Sequence, residues 1–175
     1  WIIAGQGEEL YCIDQHAAHY RVRYDQLVHQ QEAPGTRPSQ SLLYPISKQF
    51  SLADYEAILE ALPGLRKLGF QLEPIGEQTL LFTGLPEQLK AADLDDMLDR
   101  LLNDHRNRGA SIVQAHLLKL IAKVGAIRNG RPLKVSEAAH LAEQLLNSSD
   151  PYFDPDERPI LTRLSAEELA KRLGR

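Results

Sequence analysis

The chain has 175 residues, enough for one domain or for two small subdomains sharing a core. Apolar residues make up 43% of it, ordinary for a globular protein, and a net charge of −4 argues against strong unaided binding to nucleic acid. The single cysteine, Cys12, excludes an intrachain disulfide and a multi-cysteine zinc site and favours a reducing, cytoplasmic setting, while no run approaches the ~20 apolar residues of a membrane span.

"WIIAG" and "ELYCID" read as two strands joined by the polar turn "QGEE". The chain enters its first strand at full stride, with no signal-peptide pattern, so it is expected to be a piece of a longer protein. A helix is predicted from about Gln15 to Gln31, with Ala17, Tyr20, Tyr24 and Leu27 on one stripe and Asp14 as its N-cap. "EAPGTRPSQ" reads as a linker, because Pro34, Gly35 and Pro38 lie close together. "SLLYPIS" follows as an extended segment. "SLADYEAILEAL" is predicted to be helical, with Ser51 and Asp54 as a capping box and Leu52, Tyr55, Ile58, Leu59 and Leu62 inward. Pro63 and Gly64 should end or kink it near Leu62. "GFQLEPIGEQTLLFTGLP" gives two strands around a turn at Ile75–Gln78.

Three helical patterns come next, over about 93–106, 111–128 and 136–146. "NSSDPYFDPDERP" reads as a polar loop, "PILTRL" as a last strand, and "SAEELAKRL" as a closing helix capped by Ser165 and Glu168. Strands and helices mix without strict alternation, which favours an α+β architecture.

Four clusters could carry chemistry. Asp14, His16, His19 and Asp25 bring carboxylates and imidazoles onto one helix start, and His16 with Asp14 could supply two metal ligands. The blander reading is that Asp14 caps the helix and His16 packs at its first turn. Asp154, Asp156 and Glu157 in "FDPDERP" could hold a cation, or form a solvated loop stiffened by Pro155 and Pro159. "QSLLYPI" could be an edge strand with Pro at a non-bonding position, or a peptide-like docking segment. Lys123, Arg128, Arg131 and Lys134 either complement a helix C-terminus or contact phosphate. No Walker loop, dinucleotide fingerprint or Ser/His/Asp order is present.

In order along essentially the whole chain, these pieces resemble the C-terminal dimerisation domain of the DNA mismatch repair protein family MutL. "LYCIDQHAAHYRVRYDQL" is similar to the family's Asp-Gln-His-Ala-x-x-Glu-x-x-x-x-Glu strand and helix. "QSLLYPI" resembles its Gln-x-x-Leu-x-Pro segment, which docks on the replication sliding clamp. "LGFQLEPIGEQTLLFTGLP" is similar to its paired strands, and "AKVGAIRNGRPL" to its Ala-Cys-x-Ala-Ala-Ile/Val-Arg helix. "FDPDERPILTRLSAEELAKRLGR" resembles its Cys-Pro-His-Gly-Arg-Pro-Thr segment and closing helix.

In the nuclease-active branch these motifs hold the divalent metal that nicks DNA. Here Asp14, Gln15, His16 and Ala17 match, but Tyr20 stands where the first metal-binding Glu belongs and Asp25 replaces the second. Lys123 stands in place of the Cys. Asp154, Asp156 and Glu157 replace Cys, His and Gly, while Pro155, Arg158 and Pro159 remain. A neutral phenol is a poor metal ligand, and a lysine in place of a thiolate repels a cation. The resemblance therefore implies no catalytic residues, a vestigial motif at Asp14, Gln15, His16, Ala17, Tyr20 and Asp25, and no metal. One oxygen-rich alternative stays open: magnesium or manganese between Asp14, His16, Asp154 and Asp156. Gln40, Leu42, Leu43 and Pro45 would hold the clamp.

The resemblance further implies a discontinuous dimerisation subdomain (1–37 and 131–175) and an inserted clamp-docking subdomain (38–130). It implies a homodimer that tethers paired ATPase domains, with ATP and magnesium bound upstream of this chain. Partners would include other mismatch repair proteins and, weakly or indirectly, DNA, with nucleoid association during repair and no membrane.

Overall fold

The computed structural model describes residues 1–7, 9–32, 39–108 and 114–174. Glu8 of the first turn, the linker residues Pro34, Gly35 and Pro38, and the predicted helix start at Ser111 and Ile112 lie outside the described residues. In chain order the elements are β1 (Ile2–Gln6), β2 (Glu9–Ile13), α1 (Gln15–Glu32), β3 (Ser39–Gln49), α2 (Leu52–Lys67), β4 (Gln71–Gly76) and β5 (Thr79–Pro86). A 3-10 turn (Ala91–Asp93) leads into α3 (Leu94–Arg108), α4 (Gln114–Val124), α5 (Val135–Leu146), β6 (Leu161–Ser165) and α6 (Ala166–Arg172). Two antiparallel three-stranded sheets with helices make the chain α+β.

The chain divides into two compact units, Trp1–Gln26 with Ala126–Arg175, and Leu27–Gly125. In the first, the sheet runs β1-β2-β6. Ile2 pairs with Ile13, and Ile13 with Leu161. This row packs with Ala17, Ala18 and Val22 of α1, Leu141 and Leu145 of α5, and Ile160. Each fully buried Leu or Ile there contributes about 1.5–3 kcal/mol. Because side chains alternate along a strand, the next row, Ile3, Cys12 and Thr162, faces the other way.

In the second unit the sheet order is β3-β5-β4, which leaves β3 at an edge. Leu80, Phe82 and Leu85 of β5 are buried, as are Ile58 and Leu65 of α2, Met97 and Leu101 of α3, and Leu117 and Ile121 of α4. A Cβ on Gly64 would lie 3.4 Å from Leu117 Cδ1, so the approach of α2 to α4 leaves little room for a side chain there.

Two helix ends differ from the sequence reading. α2 does not stop near Leu62 but runs through Pro63 to Lys67. Pro63 removes one helix bond, at a cost of about 3 kcal/mol. Burial of Leu65 and Leu68 beyond it offsets that, and Phe70 N–H closes the turn on Leu65 O at 3.1 Å. α4 stops at Val124 rather than Arg128. The backbone groups of Ile127, which a longer helix would have used, are held instead by two histidine rings. Lys123 is thus the only one of the four cations in the last turn of α4, and Arg128, Arg131 and Lys134 lie past its end.

Candidate functional site

The motif Asp14, Gln15, His16 and Ala17 is built at the start and first turn of α1. Asp14 Oδ1 accepts the backbone N–H groups of His16 and Ala17 at 2.8 and 3.0 Å, which is the N-cap expected of it. Its own N–H donates to Ile160 O at 2.8 Å, fixing the start of the helix against the last strand's approach. Gln15 is buried, and its Nε2 donates to Arg131 O at 2.7 Å.

His16 and His19 clasp Ile127 in opposite senses. His16 Nδ1 lies 2.8 Å from Ile127 O, so that nitrogen carries a proton. His19 Nδ1 accepts from Ile127 N–H at 2.9 Å, so that nitrogen carries none. Burial, followed by the nearby Arg23, His16 and Arg131 charges, pushes the His19 pKa down to about 4. The unfolded chain therefore takes up a proton below about pH 6.5 that the folded chain refuses until about pH 4. Stability from this ring is complete above pH 6.5 and is lost as pH falls towards 4. Melting temperature should drop between pH 7.5 and 4.5, and His19→Gln, which keeps an acceptor without a titrating ring, should flatten the drop.

Tyr20 is fully buried, and its hydroxyl donates to Asp156 Oδ1 at 3.3 Å. Burial, with the Asp156 and Asp154 carboxylates beside it, pushes the phenol far above its ordinary range, so it stays neutral. Asp25, in place of the second Glu, accepts from Ser149 N at 2.7 Å and Ser149 Oγ at 2.9 Å, and pairs with Arg21 at 3.4 Å. Arg21 Nε in turn donates to Phe153 O at 2.9 Å. The pair lies one helical turn apart on α1 and ties the loop after α5 to it.

Much of that loop is exposed, as its composition suggests, but Asp154 and Pro155 within it are buried. Asp154 is buried, and its Oδ1 accepts from Asp156 N at 2.8 Å and Arg158 N at 3.0 Å. Phe153 and Pro159 form a bridge that closes the turn, and Glu157 sits inside it at φ +64. This is the left-handed region where the resembled motif carries Gly, and a side chain there costs about 1–2 kcal/mol. Glu157→Gly should raise unfolding free energy by about 0.5–1 kcal/mol, measured by urea titration.

The Oδ1 atoms of Asp14 and Asp154 are each used by two backbone N–H groups, and Tyr20 presents no carboxylate. Among the described residues, no three His, Cys, Asp or Glu side chains are grouped to hold a metal ion. Of the set Asp14, His16, Asp154 and Asp156, His16 Nδ1 and one oxygen of each of Asp14 and Asp154 are taken by backbone groups. Lys123 belongs to the second unit.

The sequence reading missed Arg21, Ser149 and Ile127. Arg21 was detectable, four residues before Asp25 at helical ion-pair spacing. Ser149 and the backbone of Ile127 carry no such signal.

In the second unit, Gln40, Leu42, Leu43 and Pro45 all lie on β3. Gln40 Nε2 donates to Leu89 O at 2.6 Å and Pro86 O at 3.4 Å. Pairing with β5 is interrupted between Ser41 and Ile46. Leu43 and Pro45 are exposed, and Leu42 is half-buried. The segment is an edge strand with an exposed apolar stretch, as the first of its two readings has it.

A family model described as the MutL C terminal dimerisation domain matches residues 1–133. The DNA mismatch repair protein MutL of Lactobacillus delbrueckii subsp. bulgaricus is 37% identical over 98% of the chain. Those of Citrifermentans bemidjiense and Pelotomaculum thermopropionicum are 34% and 31% identical over 100% of it. The chain spans 26–29% of the length of these relatives.

Proposed function

The chain belongs to the family of MutL C-terminal dimerisation domains, and on that premise we propose that it serves DNA mismatch repair as a dimerisation and clamp-docking domain with a degenerate endonuclease site. Joining two chains tethers the ATPase regions expected elsewhere in the protein and raises their concentration for each other. ATP and magnesium belong to those regions. This domain needs neither, nor manganese, and DNA reaches it only weakly.

The outer face of the first unit's sheet supports self-association. Its rows are Ile3, Cys12 and Thr162, then Gly5, Leu10 and Leu164, with Ile3 64% exposed. The second unit's sheet differs. Beside Leu81 and Ile75, the residues alternating with its buried row are mostly polar: Ser47, Gln49, Glu73, Thr79 and Thr83. A flat apolar sheet face is what an isologous dimer covers. The loss of nicking rests on one observation above the others: Tyr20 is fully buried where the first metal-binding Glu would project. Clamp docking rests on the exposed stretch of β3.

Sedimentation of the intact protein at micromolar concentration tests dimerisation. The wild type should run as a dimer and Ile3→Asp as a monomer; a monomeric wild type would contradict the reading. For docking, a Gln40→Ala, Leu43→Ala double variant should bind the sliding clamp more weakly. Equal affinity would remove the support for clamp docking.

A further inference from the structure

We propose that Asn129 is a modification site, where attack by the Gly130 backbone nitrogen on the asparagine side chain leaves isoaspartate in the turn Arg128–Arg131. The chain has four asparagines, Asn103, Asn107, Asn129 and Asn147, and two requirements of this chemistry separate them. The backbone N–H that follows must be able to attack, and the side-chain carbonyl must be open to it. Asn103 and Asn107 lie inside α3, where the N–H groups that follow are used in the helix ladder. Asn147 ends α5. Its Nδ2 donates to Glu143 O at 2.9 Å, and the N–H that follows, of Ser148, donates to Leu145 O at 3.0 Å. Asn129 is exposed, lies outside every helix and strand, and is the one asparagine followed by glycine. Among the described residues, nothing is hydrogen-bonded to its amide or to the Gly130 N–H.

Gly130 favours the attack in two ways. No side chain crowds its nitrogen, and glycine can leave its φ of +81 for the other values that ring closure demands. A Cβ built on it would meet nothing within 4 Å, so the turn has room to rearrange. Arg131 N–H closes this turn on Arg128 O at 3.2 Å, at the exposed surface. In the reaction the Gly130 nitrogen gives up its proton and bonds to Cγ of Asn129. The Cγ–Nδ2 bond breaks, and ammonia carries the proton away. Water then opens the cyclic imide at one carbonyl or the other, giving aspartate or isoaspartate with no change of oxidation state. The place of the turn gives this a consequence. Ile127, before it, is held by His16 and His19, and Arg131 O, after it, by the buried Gln15. Isoaspartate adds a methylene to the main chain between these anchors, and a negative charge between Arg128 and Arg131.

The test is to age the folded, intact protein at pH 6 and pH 8.5, map its peptides, and label isoaspartate with an isoaspartyl methyltransferase and S-adenosylmethionine. The Asn129 peptide should gain label about tenfold faster than the Asn147 peptide, or more, a barrier lower by ~1.4 kcal/mol. Its rate should be higher at pH 8.5, because hydroxide removes the amide proton. Asn129→Gln, whose longer side chain closes a larger ring slowly, should lose the label. Its melting temperature should hold on ageing while that of the wild type falls. Label at Asn129 no faster than at Asn147, or a rate indifferent to pH, would overturn the proposal. Label without a fall in melting temperature would overturn the strain on the anchors and leave the modification standing.

Discussion

Asp25→Ala should destabilise the protein by about 3–5 kcal/mol, the loss expected when one partner of a buried, hydrogen-bonded ion pair is removed. Both Asp25 and Arg21 are only 11% exposed at their side chains. Without the carboxylate, Arg21 keeps its bond to Phe153 O but has no counter-charge, and Ser149 N loses its acceptor. Asn at this position can still accept from Ser149 N but carries no charge for Arg21, so Asp25→Asn should fall between. Ser149→Ala removes only a neutral hydroxyl and should cost about 1 kcal/mol. Urea unfolding with an unchanged m-value checks the series. A loss below 1 kcal/mol for Asp25→Ala would show that the loop does not depend on this clasp.

Tyr20→Ala should cost about 3–5 kcal/mol, the range for deleting a large aromatic side chain from a core. Tyr20→Phe removes only the bond to Asp156 and should cost about 0.5–1.5 kcal/mol. Tyr20→Glu restores the carboxylate of the resembled motif, but in a buried place beside Asp154 and Asp156. Burial and like charge raise that carboxyl's folded pKa above its unfolded value of about 4.3. The penalty therefore grows as pH rises above that value. Compared with wild type at each pH, Tyr20→Glu should be far more destabilised at pH 8 than at pH 4.5. An equal penalty at both would mean the new carboxyl escapes to solvent.

Much of the fold was legible because its signals are local. The hairpin of β1 and β2, the Asp14 cap and the Ser165–Glu168 capping box all follow from neighbouring residues, and the structure has them. The failures were tertiary. Pro63 reads as a helix end, yet burial of Leu65 and Leu68 carries α2 past it. Arg128 reads as helical, yet His16 and His19, more than 100 residues earlier, hold the Ile127 backbone in another conformation. In the site, the motif's departures were visible letter by letter, but what the replacements do was not. Asp25, Asp154 and Asp156 read as acids available to a cation. Asp25 and Asp154 bind backbone N–H groups, and Asp156 accepts from Tyr20. Carboxylates look alike in sequence, and only their partners separate a metal ligand from a loop clasp.

The family frame of Asp14, Gln15, His16 and Ala17 thus persists for a structural reason. It starts α1 and ties it to Ile160, Arg131 and Ile127. Folding alone is a reason to keep these residues, so matching the first half of the motif says little about nicking.

The most direct test is to incubate the intact protein with supercoiled plasmid and manganese, beside its Asp14→Ala variant. The plasmid should remain supercoiled with both proteins. Relaxed circles produced by the wild type and lost in Asp14→Ala would contradict the degenerate site.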